Sequence, residues 1–220
     1  MLVKRLLDVI VSGVLILVTG PIMAFITVFI RIDSCGPPIF KQRRIGLDRR
    51  RPENGNGGGF PPAERRKRDL GGKPFTMYKF RSMVREAEEM LPSLVNLGGL
   101  PEPVYKLPDD PRVTRFGRLL RRTSLDELPQ LFNILRGDMS LVGPRPEAER
   151  MVFLYKEDHR KRLQAKPGLT GLQQVRCRGS RSMRRRMRYD LRYIQKQSLL
   201  MDLWILLKTI VVVIRGNGAF

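Results

Sequence analysis

From Val9 to Ile30 the chain runs 22 residues without a charge, VIVSGVLILVTGPIMAFITVFI, between Lys4, Arg5 and Asp8 on one side and Arg31 on the other. As a helix rising about 1.5 Å per residue, the run reaches roughly 33 Å, enough to cross a bilayer. A cleaved signal peptide has a shorter apolar core followed by small residues, whereas here Arg31-Ile-Asp-Ser-Cys-Gly-Pro-Pro follows. Pro21 removes one helical hydrogen bond and its ring crowds the carbonyl four residues earlier, so a kink is expected there. Positive residues flank both ends, Lys4 and Arg5 before and Arg31, Lys41, Arg43 and Arg44 after, so the positive-inside rule exports neither end. A helix broken at Pro21 that enters and leaves by the same cytoplasmic face satisfies both observations. A kinked single span is the alternative.

Two later stretches have helical period. Leu199 to Ile214, LLMDLWILLKTIVVVI, has only Asp202 and Lys208 as charges and is too short to span comfortably. Asp202 and Thr209 lie on one narrow polar line, so this helix fits either the core or the membrane interface, with Trp204 at headgroup depth. In 181–194, Met183, Met187, Leu191 and Ile194 recur at helical spacing while Arg181, Arg184, Arg185, Arg186, Arg188 and Arg192 fill the other faces. That is a basic amphipathic helix, packed on the core, lying on anionic headgroups or phosphate, or shaped as a calmodulin-type target.

Charge adds a constraint on partners. The 220 residues carry 42 Lys and Arg against 21 Asp and Glu, a net charge of +21. Most of it sits in 49–69, 112–122 and 176–192. Such imbalance calls for an anionic partner: nucleic acid, membrane or phosphate-bearing metabolites. Residues 48–72, rich in Gly, Pro and Arg without apolar period, read as a flexible basic loop. Cys35 and Cys177 lack metal-ligand spacing and His159 is the only histidine, so neither a disulfide scaffold nor a zinc finger is expected and both thiols read as reduced.

The segment richest in chemistry is 112–147, RVTRFGRLLRRTSLDELPQLFNILRGDMSLVGPRPE. Its Ser124-Leu-Asp126-Glu127 has the spacing of a helix capping box. The same two acids sit among Arg112, Arg115, Arg118, Arg121, Arg122 and Arg145, which favours an ionised Asp126 able to act as a nucleophile. Attack on a phosphate needs its charge offset, by arginines or by Mg²⁺, which suits a site of one or two carboxylates plus substrate phosphates. Asp138 and Asp202 read as structural acceptors, and His159 as a surface residue. Lys79 and Arg81 fit phosphate or uridine binding, or simply an exposed basic edge.

Ordered motifs along nearly the whole chain carry a resemblance. They are Lys4-Arg5-x-x-Asp8; the run containing Pro21; Gly36-Pro37-Pro38-Ile39-Phe40-Lys41-Gln42-Arg43-Arg44-Ile45-Gly46; and Lys79-Phe80-Arg81-Ser82-Met83. Then come Asp110-Pro111-Arg112-Val113-Thr114, Thr123 to Leu131, Gly137 to Pro146, and Lys166-Pro167-Gly168-Leu169-Thr170-Gly171. The chain resembles the small monotopic phosphoglycosyl transferases of the bacterial polyprenyl-phosphate sugar-1-phosphate transferase family. Gly20 stands before Pro21 where relatives often carry serine, and 48–72 is longer than their usual glycine turn.

The resemblance implies that Asp126 attacks the sugar-linked phosphate of a UDP-sugar, releasing UMP. A polyprenol phosphate, undecaprenyl phosphate in a bacterium, then takes the phosphosugar. It further implies Glu127 as the second member of the dyad, Mg²⁺ held by Asp126 and Glu127, and substrate binding by Lys79, Arg81, Arg112 and Arg145. The expected fold is mostly α with a small β-hairpin around 38–80, as a monotopic membrane protein with interfacial amphipathic helices. The expected divisions are 1–32 as the membrane-embedded re-entrant helix, 33–198 as the catalytic domain on the cytoplasmic face of the bacterial inner membrane, and 199–220 as an interfacial helix. Bacterial membrane lipids are expected partners and a homo-oligomer is compatible with the sequence. The competing reading, a membrane-tethered nucleic-acid-binding module, finds no recognised fold signature and few aromatics for stacking.

Overall fold

The structure, a computed structural model, describes residues 2–47, 71–90, 110–153, 155, 157–180 and 182–215. Residues 48–70 of the expected basic loop lie outside the described residues. The apolar N-terminal run forms α1, Leu2–Asp33. It is one helix rather than two, with Pro21 inside it, so the expected break is not an interruption of the helix. Its side chains at Leu17, Val18, Ile22 and Phe25 are exposed.

Both ends of α1 are fastened to the rest of the chain. At its start, Lys4 Nζ donates to Asp202 at 2.5 Å and to the Val142 carbonyl at 3.0 Å. Arg5 donates to the Ile134 and Leu135 carbonyls at 2.6 and 2.8 Å. Asp8 accepts from the Ser140 hydroxyl and the Leu141 amide at 3.0 and 2.9 Å. At its far end, Ile26 and Ile30 pack with Phe80 and Leu120. Arg81 donates to the carbonyls of Ser34, at 2.6 Å, and Cys35, just beyond the helix end. The charges counted above as topological flanks are therefore partly internal ties.

Strands β1 (Ile39–Ile45) and β2 (Pro74–Phe80) pair antiparallel with Ile39 opposite Phe80, which is the expected hairpin, and β4 (Glu147–Ala148) adds a short third strand beside β1. Helix α2 (Arg115–Thr123) starts at Thr114, whose hydroxyl accepts from the Gly117 amide, and is followed by a 3₁₀ turn, Leu125–Glu127, and α3 (Gln130–Arg136). Asn133 of α3 is wholly buried and grips β2, accepting from the Tyr78 amide at 3.0 Å and donating to the Thr76 carbonyl at 2.6 Å.

A second, unanticipated pairing joins β3 (Ser140–Val142) in parallel to β5 (Gly168–Thr170). Glycine makes the adjoining approach possible. A Cβ on Gly143 would lie 2.2 Å from the Lys166 carbonyl, one on Gly168 2.1 Å from the Gly143 amide, and one on Gly171 2.1 Å from the Gly143 carbonyl. Between these strands run the short helices α4 (Glu149–Val152) and α5 (Glu157–Arg160) and a 3₁₀ turn, Lys161–Gln164. His159 is half-buried, its ring edge-on to Tyr155, rather than a surface residue.

After α6 (Leu172–Cys177), α7 (Met183–Lys196) is the basic amphipathic helix. Its apolar face is core: Met187 packs with Ile45, Val152, Tyr155 and Leu163, and Tyr193 lies in the main cluster with Leu131, Ile134, Leu141 and Ile205. Helix α8 (Leu199–Arg215) turns its polar line inward, with Asp202 bonded to Lys4 and Tyr193, and the Thr209 and Thr170 hydroxyls 2.7 Å apart. Leu200, Leu203, Leu207, Ile210 and Ile214 face outward. Polar inside and apolar outside is the arrangement of a helix against lipid.

Candidate active site

Ser124 shapes the turn that carries the two acids. Its φ of 60° is the only positive value at a non-glycine among the described residues, and it ends α2 in the left-handed conformation. The capping box predicted from Ser124 to Glu127 does not form: the Ser124 hydroxyl makes no cap bond and accepts from Arg178 at 2.7 Å. Reversing the chain at Ser124 presents Asp126 and Glu127 on a single 3₁₀ turn, close to Lys79 of β2 and Arg145 of the Pro144-Arg145-Pro146 segment.

The two carboxylates have different company. Glu127 Oε1 accepts from Lys79 Nζ at 2.7 Å and from Arg145 Nη2 at 3.1 Å. Burial alone would push its carboxyl up, but Lys79 and Arg145 outweigh that and hold it at about 2, from the usual 4.5. Asp126, 8% exposed, meets Lys79 at 3.7 Å. Burial pushes its carboxyl up, Lys79 opposes this, and the charge on Glu127 adds to it. At Asp126 burial thus outweighs the surrounding cations, and its carboxyl is raised where the sequence suggests that arginines would lower it. The result is an ion-paired anchor beside a less stabilised, hence more basic, carboxylate.

Arg145 is the accessible cation, with 39% of its side chain exposed. Its backbone is fixed from behind: Arg162 Nη2 donates to the Arg145 carbonyl at 2.8 Å and to Asp190 at 2.5 Å, and Nη1 to Glu147 at 3.2 Å and to the Tyr155 hydroxyl. Burial works against the charge of Arg162, but Asp190, Tyr155 and Glu147 outweigh it and hold its pKa above the ordinary value.

Of the residues predicted for substrate binding, Lys79 and Arg145 join the dyad and the other two do not. Arg81 closes the end of α1, as above. Arg112 is engaged by Asp110, with nitrogen–oxygen distances of 2.8 and 2.7 Å, and by the Ala87 carbonyl. Both are under a tenth exposed. Two other arginines are near the dyad instead: Arg121, already counted among those around the acids and bonded to the Ser82 hydroxyl, and Arg178, which the sequence did not single out and which is bonded to Ser124. Arg178 was hidden within a dense run of arginines, where nothing in the spacing marks one as turned inward.

For a divalent ion, the described residues hold no cluster of three or more His, Cys, Asp or Glu side chains. Adjacent Asp126 and Glu127 fit Mg²⁺, a hard cation that keeps several waters and binds through one or two carboxylates plus substrate phosphates.

Comparison with known proteins gives a consistent result. The family described as bacterial sugar transferase matches residues 1–53 and 59–216. An undecaprenyl-phosphate galactose phosphotransferase of Salmonella typhimurium is 38% identical over 221 residues, 99% of this chain and 41% of that protein. The UDP-glucose:undecaprenyl-phosphate glucose-1-phosphate transferase of Caulobacter vibrioides is 37% identical over 225 residues, 99% of this chain and 72% of that protein. The uncharacterized sugar transferase EpsL of Bacillus subtilis is 36% identical over 218 residues, covering 99% and 90%. The chain thus spans about two fifths of the Salmonella relative and most of the Bacillus one.

Proposed function

The chain belongs to the bacterial sugar transferase family, and on that premise we propose that it transfers a sugar-1-phosphate from a UDP-sugar to a polyprenol phosphate at the cytoplasmic face of the bacterial inner membrane. The observation that carries this reading is the division of labour in the dyad. Glu127 absorbs Lys79 and Arg145, and Asp126 keeps a carboxylate oxygen in reach of that same positive field without a close ion pair.

In the first step an Asp126 oxygen attacks the sugar-bearing phosphorus. A phosphorus–oxygen bond forms to Asp126, the diphosphate bridge bond breaks, and UMP leaves with the electron pair. Lys79 and Arg145 oppose the charge building on the phosphate oxygens. Mg²⁺, held by Asp126 and Glu127 with phosphate oxygens, would supply further neutralisation when bound. In the second step an acceptor phosphate oxygen attacks the same phosphorus. It releases the Asp126 carboxylate and gives a polyprenyl-diphospho-sugar. A carboxylate with raised basicity is the better nucleophile, and the negative charge on Glu127 contributes to that rise.

Helices α1 and α8 support the membrane placement. Both ends of α1 are tied to one folded unit, at Lys4, Arg5 and Asp8 and again at Arg81, Ile26 and Ile30. A true span would separate those ends by the thickness of the bilayer and place one unit on both sides. This supports a re-entrant or flat embedding, with the apolar face of α8 beside it and the dyad at the lipid boundary, where one water-soluble and one lipid-anchored substrate can meet.

The test is to supply the full chain, reconstituted in lipid with Mg²⁺, with UDP-galactose or UDP-glucose and a polyprenol phosphate. UMP and lipid-linked diphosphosugar are expected in equal amounts. Absence of both with every UDP-sugar tried would overturn the reading. For topology, native Cys35, which is exposed after α1, is compared with Leu2→Cys in a Cys35→Ser background. Impermeant maleimide should reach both from one side, and labelling from opposite sides would mean a span.

A further inference from the structure

Among the described residues, two guanidiniums beside the dyad have only neutral hydrogen-bond partners. Arg121 Nε donates to the Ser82 hydroxyl at 2.9 Å. Arg178 donates to the Ser124 hydroxyl at 2.7 Å and to the Val212 carbonyl at 3.3 Å. Among the described residues neither lies within ion-pair distance of a carboxylate, although the negative charge of Asp126 is felt by both. Burial pushes both below the ordinary arginine range, against that attraction. Partly desolvated cations held by neutral oxygens alone are under-compensated, and an anionic ligand would relieve them.

Arg178 is also distinguished by where it reaches. One of its amino groups holds the Ser124 turn and the other holds a carbonyl of α8, two residues before outward-facing Ile214. It therefore stands between the dyad and the helix whose outer face is apolar. Arg145, the accessible cation, lies in a different segment and is anchored to Glu127. Phosphate is the shared chemistry of both substrates, and the two arginines offer it two separate places. A lipid phosphate whose chain lies along Leu203, Leu207 and Ile210 would bring its headgroup in at the Arg178 end of the site, while a soluble nucleotide sugar reaches Arg145 from the water side.

We propose that Arg178 binds the phosphate of the lipid-borne acceptor, with Arg121 adding to the positive field, and that the acceptor's chain lies on the outer face of α8. The assignment rests on the transferase reading above and deepens it by giving the acceptor a position of its own.

The experiment separates the half-reactions in the full chain reconstituted in lipid nanodiscs. Formation of the phosphosugar adduct is followed without acceptor, and turnover is followed against polyprenol phosphate concentration. Arg178→Gln should raise the acceptor KM at least tenfold while slowing adduct formation less than threefold, and Arg178→Lys should recover part of the loss. Ser124→Ala removes the hydrogen bond but keeps the cation, and should leave the acceptor KM within twofold of the parent. The proposal is overturned if Arg178→Gln slows both half-reactions alike, if it raises the UDP-sugar KM instead, or if Ser124→Ala reproduces it. Calorimetric binding of a short-chain polyprenyl phosphate, weakened tenfold by Arg178→Gln, reads the site without turnover. A parent chain that binds this phosphate through Arg178 but forms no adduct would overturn the catalytic reading alone.

Discussion

Arg162→Met removes the guanidinium on which the support of Arg145 depends. Arg162 is 4% exposed and its loss strips Asp190, itself 1% exposed, of its 2.5 Å partner, while Glu147 keeps Arg186 at 3.4 Å. Breaking one side of a buried pair costs about 3–5 kcal/mol. The lower end applies here, because burial already holds the Asp190 carboxyl at about 6 despite Arg162, so the orphaned acid can escape by taking a proton. At roughly 2–4 °C per kcal/mol for a chain of this size, a loss near 3 kcal/mol lowers the melting temperature by roughly 6–12 °C. The assay is thermal unfolding of the detergent-solubilised chain at pH 7.5 and pH 5.5. The deficit should shrink at the lower pH, where protonating Asp190 costs less. Adding Asp190→Leu should recover most of the stability, since the stranded acid is gone, but not the transfer rate, since the Arg145 carbonyl still lacks its donor. A melting temperature for Arg162→Met within about 2 °C of the parent, or a double variant no more stable than the single one, would refute the reasoning.

Three other outcomes follow from the same geometry. The Glu127 carboxyl, held at about 2 against its usual 4.5, contributes stability that is present above pH 4.5 and lost as pH falls toward 2, so Glu127→Gln should flatten acid unfolding across that window. Gly168→Ala forces a Cβ to within 2.1 Å of the Gly143 amide, and should separate β3 from β5 and abolish transfer even where helical circular dichroism persists. Lys4→Met leaves Asp202 with Tyr193 alone, and should speed amide exchange in the first turns of α1 and lower the melting temperature by several degrees.

Elements built on local pattern were legible in the sequence. The uncharged run forms α1, the Met183, Met187 and Leu191 stripe forms the buried face of α7, and the hairpin implied by the family resemblance pairs Ile39 with Phe80. Lys79 and Arg145, expected as substrate-binding residues, lie against the acids. What failed depends on contacts distant in sequence. Ser124 ends a helix in the left-handed conformation rather than capping one, and its hydroxyl accepts from Arg178, 54 residues away. Arg81 and Arg112 have the residue type of phosphate ligands, yet a helix end and Asp110 consume them. Lys4, Arg5 and Asp8 read as topological flanks because nothing local reveals that Val142, Ile134 and Ser140 are their partners. The β3 and β5 pairing was invisible because three-residue strands carry no period, and only their neighbouring glycines hint at the close approach.

The central claim is that Asp126 becomes covalently bound to phosphorus during transfer. Intact-protein mass spectrometry of the lipid-reconstituted chain, quenched after mixing with a UDP-sugar and Mg²⁺ in the absence of acceptor, measures this directly. The account predicts a mass increase of one phosphosugar that maps to Asp126, is absent in Asp126→Asn, and disappears when polyprenol phosphate is added. Full turnover with no adduct, an adduct on another residue, or an Asp126→Asn chain that transfers at the parent rate would contradict it.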